Sequence, residues 1–251
     1  MKSVVRNGVT VFLADTEDQA TEKTKELLYD FSDENTALFL SGGSTPKKLY
    51  TELALEKKLL VGAVVQVDER YGEPFHQVSN QLSIKNTGLL DYLAEKNIQF
   101  YPMLGSGKSR EELAQEYEVI VSDLFGRFKK KIAILGIGQD GHTASIAPNR
   151  PDFNNPLFTS QKDRLVGEFK DPKPMSAEGS PVPPNGFGER ITLTSKALSE
   201  MDQLLVLVLG QKKKEALEMV LTEGPVEKAP LRFCLWPKVS SKTLFITDQK
   251  V

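Results

Sequence analysis

Ile132-Ala133-Ile134-Leu135-Gly136-Ile137-Gly138-Gln139-Asp140-Gly141-His142-Thr143-Ala144-Ser145 is the stretch that decides how this chain folds. It opens on four apolar residues without a break, the pattern of a strand covered on both faces, as in a parallel sheet. The strand then runs straight into three glycines, an aspartate and a histidine. Glycine lets a backbone turn sharply and lets a ligand come close, and an imidazole titrates near neutral pH. The stretch therefore reads as a strand end that carries a site; the plain alternative is a glycine-rich turn.

Outward from that strand, apolar runs at 37–40, 64–67, 98–101, 191–194, 204–209, 231–236 and 243–247 also read as strands. Between them lie segments of helical period. Residues 17–31 put Ala20, Leu27, Leu28 and Phe31 on one side, 110–125 do so with Leu113, Tyr117, Ile120 and Leu124, and 212–221 with Ala216, Leu217 and Val220. Alternation of this kind implies an α/β fold with a mainly parallel sheet, here as a single domain over residues 1–251. The exception is 171–188, with Pro172, Pro174, Pro181, Pro183 and Pro184. It reads as an exposed loop of unusual length, either a lid or a plain surface insertion.

A chain of 251 residues, 39% hydrophobic, can bury a full core. With 34 acidic against 32 basic residues it lacks the basic excess of a nucleic-acid or membrane-surface binder. An anionic ligand must then be held by a few local cations. Cys234 is the only cysteine, which excludes an intramolecular disulfide and a cysteine-based zinc site. Between Phe233 and Leu235 it reads as a buried, inert strand position. No run approaches the ~20 apolar residues of a membrane span, and the N-terminus lacks the apolar core of a signal peptide. The chain reads as cytoplasmic, a monomer or small homo-oligomer.

Other stretches offer chemistry. In Ser41-Gly42-Gly43-Ser44-Thr45-Pro46, which follows the strand at 37–40, Thr45 suits an N-cap and Pro46 the first helical position. The functional reading is a phosphate cradle at a helix N-terminus, and the bland one a capped βα turn. It is neither a P-loop nor the glycine fingerprint of a dinucleotide fold. Asp68-Glu69-Arg70 ends another strand, where open α/β sheets bind ligands, unless it is a solvated strand end. Asn80 either anchors a substrate or caps a helix, and His76 reads as a surface histidine. His142 suits a general base whose tautomer is fixed by Asp140 or a carbonyl. A metal site from Asp68, His76, Asp140 and His142 matches no ligand spacing of known sites. Arg190 before the strand at 191–194 and Lys213 after Gly210 are the cations to watch. A lysine in a first helical turn opposes the dipole unless an anion binds there.

Six blocks occur in order: Ser41-Gly42-Gly43-Ser44-Thr45-Pro46, Asp68-Glu69-Arg70, Ser79-Asn80, Gly136-x-Gly138-x-Asp140-Gly141-His142-Thr143-Ala144-Ser145, Arg190-Ile191-Thr192-Leu193-Thr194 and Gly210-x-x-Lys213. Together they resemble the 6-phosphogluconolactonase family. The resemblance implies a Rossmann-like, mainly parallel sheet flanked by helices, with a small additional β region. It implies hydrolysis of 6-phospho-D-glucono-1,5-lactone, a step of the oxidative pentose phosphate pathway, without metal or cofactor. In its terms His142 activates water and Arg70 binds and polarises the substrate. Gly42, Gly43, Ser44 and Thr45 hold the phosphate with Arg190 and Lys213, and Asp68, Asn80 and Asp140 orient hydroxyls or the histidine.

The related glucosamine-6-phosphate deaminases share the Gly-Gly and Asp-Gly-His blocks. They have Asp-Glu-Tyr where this chain has Asp68-Glu69-Arg70, and a catalytic Glu where it has Ala147. The chain also departs from the lactonase pattern. Ile146-Ala147-Pro148-Asn149 stands for Leu-Phe-Pro-Gly, and Tyr71-Gly72-Glu73-Pro74 resembles the deaminase branch. A deaminase or isomerase is thus the competing enzyme reading, and a non-catalytic sugar-phosphate sensor the competing binding one.

Overall fold

The computed structural model describes residues 1–149, 164–170 and 188–250. Most of the proline-rich stretch, residues 171–187, lies outside them. In chain order the strands are β1 (Lys2–Arg6), β2 (Val9–Leu13), β3 (Thr36–Leu40), β4 (Ala63–Gln66), β5 (Asp68–Arg70), β6 (Gln99–Tyr101), β7 (Lys130–Gly136), β8 (Val166–Lys170), β9 (Glu189–Leu193), β10 (Gln203–Val208) and β11 (Thr243–Thr247). The helices are α1 (Glu17–Phe31), α2 (Lys47–Glu56), α3 (Asn80–Lys85), α4 (Leu89–Glu95), α5 (Arg110–Arg127), α6 (Ser195–Ser199) and α7 (Lys214–Leu221).

Eight strands form one sheet in the order β1-β2-β11-β10-β7-β3-β4-β6. Every pairing in it is parallel except the β1–β2 hairpin. The expected mainly parallel α/β sheet is therefore present. The central strands explain their unbroken apolar sequences: on β7, Ala133 and Leu135 pack into one core layer while Ile132 and Ile134 pack into the other. β10 alternates likewise, Leu204 and Val206 against Leu205 and Leu207. Both faces are dry, so both positions of the two-residue period are apolar.

The small additional β region is an antiparallel sheet, β5-β9-β8. Arg110, at the start of α5, holds two of its strands together. Its Nε lies 2.5 Å from Glu168 on β8 and its Nη1 2.9 Å from Glu189 on β9. The helix starts on a full capping box of Ser109 and Glu112. α1 is capped by the Thr16 hydroxyl and carries Glu17 and Asp18 in its first turn, where the dipole favours them.

The structure departs from the sequence reading in three places. Residues 231–236 are not a strand: a 3₁₀ helix, Pro230–Leu235, takes their place. A short apolar run fits a buried strand and a buried helix equally, and Pro230 starts the turn. Its buried Arg232 donates to the carbonyls of Met219, Thr222 and Pro225, satisfying the end of α7. Cys234 is buried as expected but lies on that 3₁₀ helix, where burial pushes its thiol up. β1 and β2 were not anticipated, although Asn7-Gly8 between them carries positive φ at both residues, the signature of a two-residue hairpin. Among the described residues no helix is long and apolar enough to cross a membrane.

Candidate active site

The chain leaves β3 toward β4 on one side and β7 toward β10 on the other, although β3 and β7 are neighbours. Diverging connections open a crevice at the carboxyl ends of such strands. The loops after β3 and β7 line a cavity of about 80 Å³ there, together with Asp68, Arg70 and Lys213. A far larger groove of about 1190 Å³ lies beside β2 and the end of β11, lined by Asp15, Asp18, Glu22, Glu26 and Asp248 and also by Lys2, Lys23 and Lys250. Its acids outnumber its lysines, and it lacks the glycine-rich turns and the histidine of the smaller cavity, so chemistry and not size selects the site.

The first wall is Ser41–Thr45. Gly43 has φ +88°, a conformation open to glycine. Gly42 packs directly on the side-chain amide of Asn80, where any Cβ would overlap it. Thr45 is not the N-cap: Pro46 holds that place with no side-chain hydrogen bond to the helix. The Thr45 hydroxyl instead accepts from Lys213 Nζ at 2.8 Å. Helix α2 thus begins uncapped by any side chain, with a lysine beside it, which suits an anion. Lys213 ends a 3₁₀ turn after Gly210, and burial lowers its pKa. Ser44 lines the cavity from an exposed position.

The second wall is the Gly136–Ser145 loop. His142 Nδ1 lies 2.6 Å from Asp140 Oδ1, which also accepts the His142 backbone N–H at 3.1 Å. Burial raises the Asp140 carboxyl, but the bonds from His142 outweigh it and leave the carboxyl below its ordinary value. An ionised Asp140 places the proton on Nδ1 and leaves Nε2 as the acceptor. The pair rests on Gly138, where a Cβ would overlap the imidazole, and Gly138 N–H donates to the His142 carbonyl at 2.8 Å.

Asp68-Glu69-Arg70 is no solvated strand end: it is β5, and Glu69 is fully buried. Glu69 accepts four hydrogen bonds of 2.7–3.0 Å, from the backbone N–H groups of Arg70, Asn80 and Gln81 and from Gln66 Nε2. Burial pushes its carboxyl up, whereas four converging donors suit an acceptor-only carboxylate. Sequence reasoning gave Glu69 no role of its own. The signal available was an acid two residues past an apolar strand and eleven before the start of a capped helix.

Asn80 follows Ser79, which is the actual N-cap of α3. Its Nδ2 donates to the Asp68 carbonyl at 2.9 Å and its Oδ1 accepts from Arg70 Nη1 at 3.2 Å. Arg70 Nη1 also donates to the Val78 carbonyl at 2.7 Å. Asn80 therefore braces Arg70 and Asp68, and Arg70 Nε and Nη2 remain turned to no described partner.

Arg190 is not on the cavity wall. It lies within β9, buried, as the register partner of Arg70. His76 is half-buried rather than on the surface, with Nε2 2.9 Å from the Arg70 carbonyl and its pKa lowered by burial. Asp68, His76, Asp140 and His142 do not converge as a metal set. Among the described residues the group of acids close enough for one is Glu22, Glu52 and Glu56. The Lys25 ammonium already sits among these three, 2.8 Å from Glu52.

The family model for glucosamine-6-phosphate isomerases/6-phosphogluconolactonase matches residues 13–244. The 6-phosphogluconolactonase of Synechocystis is 31% identical over 84% of this chain and 81% of its own length. That of Xylella fastidiosa is 30% identical over 78% and 76%. Among solved structures, the 6-phosphogluconolactonase from Plasmodium vivax shares the fold with a TM-score of 0.75, covering 99% of this chain and 92% of that one at 22% identity.

Proposed function

Since the chain belongs to the family of glucosamine-6-phosphate isomerases and 6-phosphogluconolactonases, we propose that it is a 6-phosphogluconolactonase with His142 as its general base. What supports the base assignment is that His142, held by Asp140, and the uncapped Thr45–Lys213 corner line one cavity. The corner holds the phosphate and so keeps the lactone in the cavity that the base lines. His142 Nε2 takes a proton from water as the water oxygen bonds to the lactone carbonyl carbon. The carbonyl becomes a tetrahedral oxyanion, which Arg70 stabilises. Collapse breaks the ring C–O bond, and the leaving ring oxygen takes the proton back from His142. The products are 6-phosphogluconate and one released proton from its carboxyl group. No step needs a metal or cofactor.

Asp68 then orients a sugar hydroxyl, and Asn80 serves by bracing Arg70 and Asp68 rather than by touching substrate. The same reading makes the chain one α/β domain acting in the cytoplasm.

Purified protein should accelerate hydrolysis of 6-phosphogluconolactone, followed by acid release. Lys213→Met should raise KM about 10- to 100-fold, the worth of a hydrogen bond to a charged group, with kcat within a few-fold of wild type. That split is the mark of lost uniform binding. A Lys213→Met variant with unchanged KM would remove the phosphate corner from the reading. Ammonia release from glucosamine 6-phosphate, with no lactone hydrolysis, would favour the deaminase branch instead.

A further inference from the structure

One residue of the glycine-rich loop has no part in the scheme so far, yet makes a short contact inside the cavity wall. The Ser145 hydroxyl donates to Asp68 Oδ2 at 2.6 Å. We propose that Ser145 is a positioning residue that fixes Asp68, and with it the spacing between Asp68 and the base, so that Asp68 Oδ1 meets a hydroxyl of the bound sugar phosphate. This rests on the reading of the site as a sugar-phosphate lactonase.

Three observations carry it. The first is how Ser145 is presented. Thr143 and Ile146 close a tight turn, with Ile146 N–H donating to the Thr143 carbonyl at 2.8 Å. Ala144 occupies its first central position at φ +50°, where glycine is the usual residue. A non-glycine residue keeps that conformation only when its surroundings hold it. The second is where the turn docks. Ser145 N–H points to the Thr192 hydroxyl at 3.4 Å, and Thr192 is the register partner of Asp68 across β5 and β9. Backbone and side chain of one residue thus grip both members of a cross-strand pair. The third is the carboxylate itself. Asp68 is buried and lines the cavity, Ser145 occupies its Oδ2, and no described residue occupies its Oδ1. His142 lies three residues before Ser145 on the same loop, so this contact sets the base relative to the carboxylate.

The test is a double-mutant cycle on kcat/KM for 6-phosphogluconolactone, with thermal melts to confirm folding. S145A should lower kcat/KM about 10- to 100-fold, the range for a hydrogen bond to a charged group. S145T, which keeps the hydroxyl, should recover most of it. In a D68N background S145A should cost less than about threefold more, because the residue acts through Asp68. A merely structural role would lower melting temperature and give additive losses, and either additivity or a fully active S145A overturns the proposal. Binding of 6-phosphogluconate by calorimetry is measured on the same four proteins. Should wild type bind this acid yet hydrolyse no lactone, the hydrolytic reading fails while the cycle on Kd still decides the coupling of Ser145 to Asp68. A wild type that does neither overturns both.

Discussion

Replacing His142 by alanine is expected to reduce enzymatic turnover of 6-phosphogluconolactone by about 10³-fold, within the range for removal of a positioned general base. The expectation follows from the geometry of the pair. Asp140 holds Nδ1 at 2.6 Å and so commits the imidazole to one tautomer, with the lone pair on Nε2. No other imidazole lines the cavity, since His76 is tied to the Arg70 carbonyl and is not on its wall. Binding of 6-phosphogluconate should stay within a few-fold, because the phosphate corner of Thr45 and Lys213 is untouched. The fold should also survive, for His142 is half-buried and its backbone bonds to Gly138 and Asp140 do not need the ring. The lactone opens spontaneously, so the rate is read above the uncatalysed one. A variant that keeps a tenth or more of wild-type kcat would exclude His142 as the base.

The largest loss of stability should come from Glu69→Gln, a change of one atom. Glu69 Oε1 accepts from the N–H groups of Arg70 and Asn80, and Oε2 from Gln66 and from the Gln81 N–H. Whichever way a glutamine is turned, its NH₂ faces two donors. Two buried N–H groups then lose their acceptor, at about 1–3 kcal/mol each. For a chain of this size 1 kcal/mol is worth roughly 2–4 °C, so melting should fall by about 10 °C. Calorimetry with and without 6-phosphogluconate would read this. A shift under about 3 °C would mean that the four bonds do not anchor β5 and the start of α3. Because Arg70 and Asn80 both hang on this carboxylate, kcat/KM should fall as well.

What could be read in the sequence divides along physical lines. β7 was legible because burial on both faces leaves an apolar run that ends on glycine, and the same logic found β3, β4, β10 and β11. That His142 and Lys213 would stand on one cavity wall was legible because strand ends that combine glycines with ionisable groups are shaped to meet a ligand. Thr45 was misread: Thr-Pro at a helix start fits a cap, and nothing local shows that a lysine 168 positions later takes the hydroxyl. The run at 231–236 was misread because Leu231, Phe233 and Cys234 are all buried, so period carries no information. Glu69 and Ser145 were hidden for one common reason. Partners on other segments complete each of them, Asn80 and Gln81 at 11–12 positions for Glu69 and Asp68 at 77 for Ser145, and charge or polarity alone does not say which acid is buried.

The hold of Arg110 on Glu168 and Glu189 bears on how this protein can change over generations. β8 and β9 meet in register at Lys170 and Glu189, so the chain leaves and re-enters the small sheet at one fixed doorway. A flexible connection between two fixed strand ends costs only about 0.6 kcal/mol more per doubling of its length. The doorway opens beside Arg190 and Arg70, which face each other across β9 and β5. A longer connection added there would enter beside the candidate site without shifting the strands that carry it.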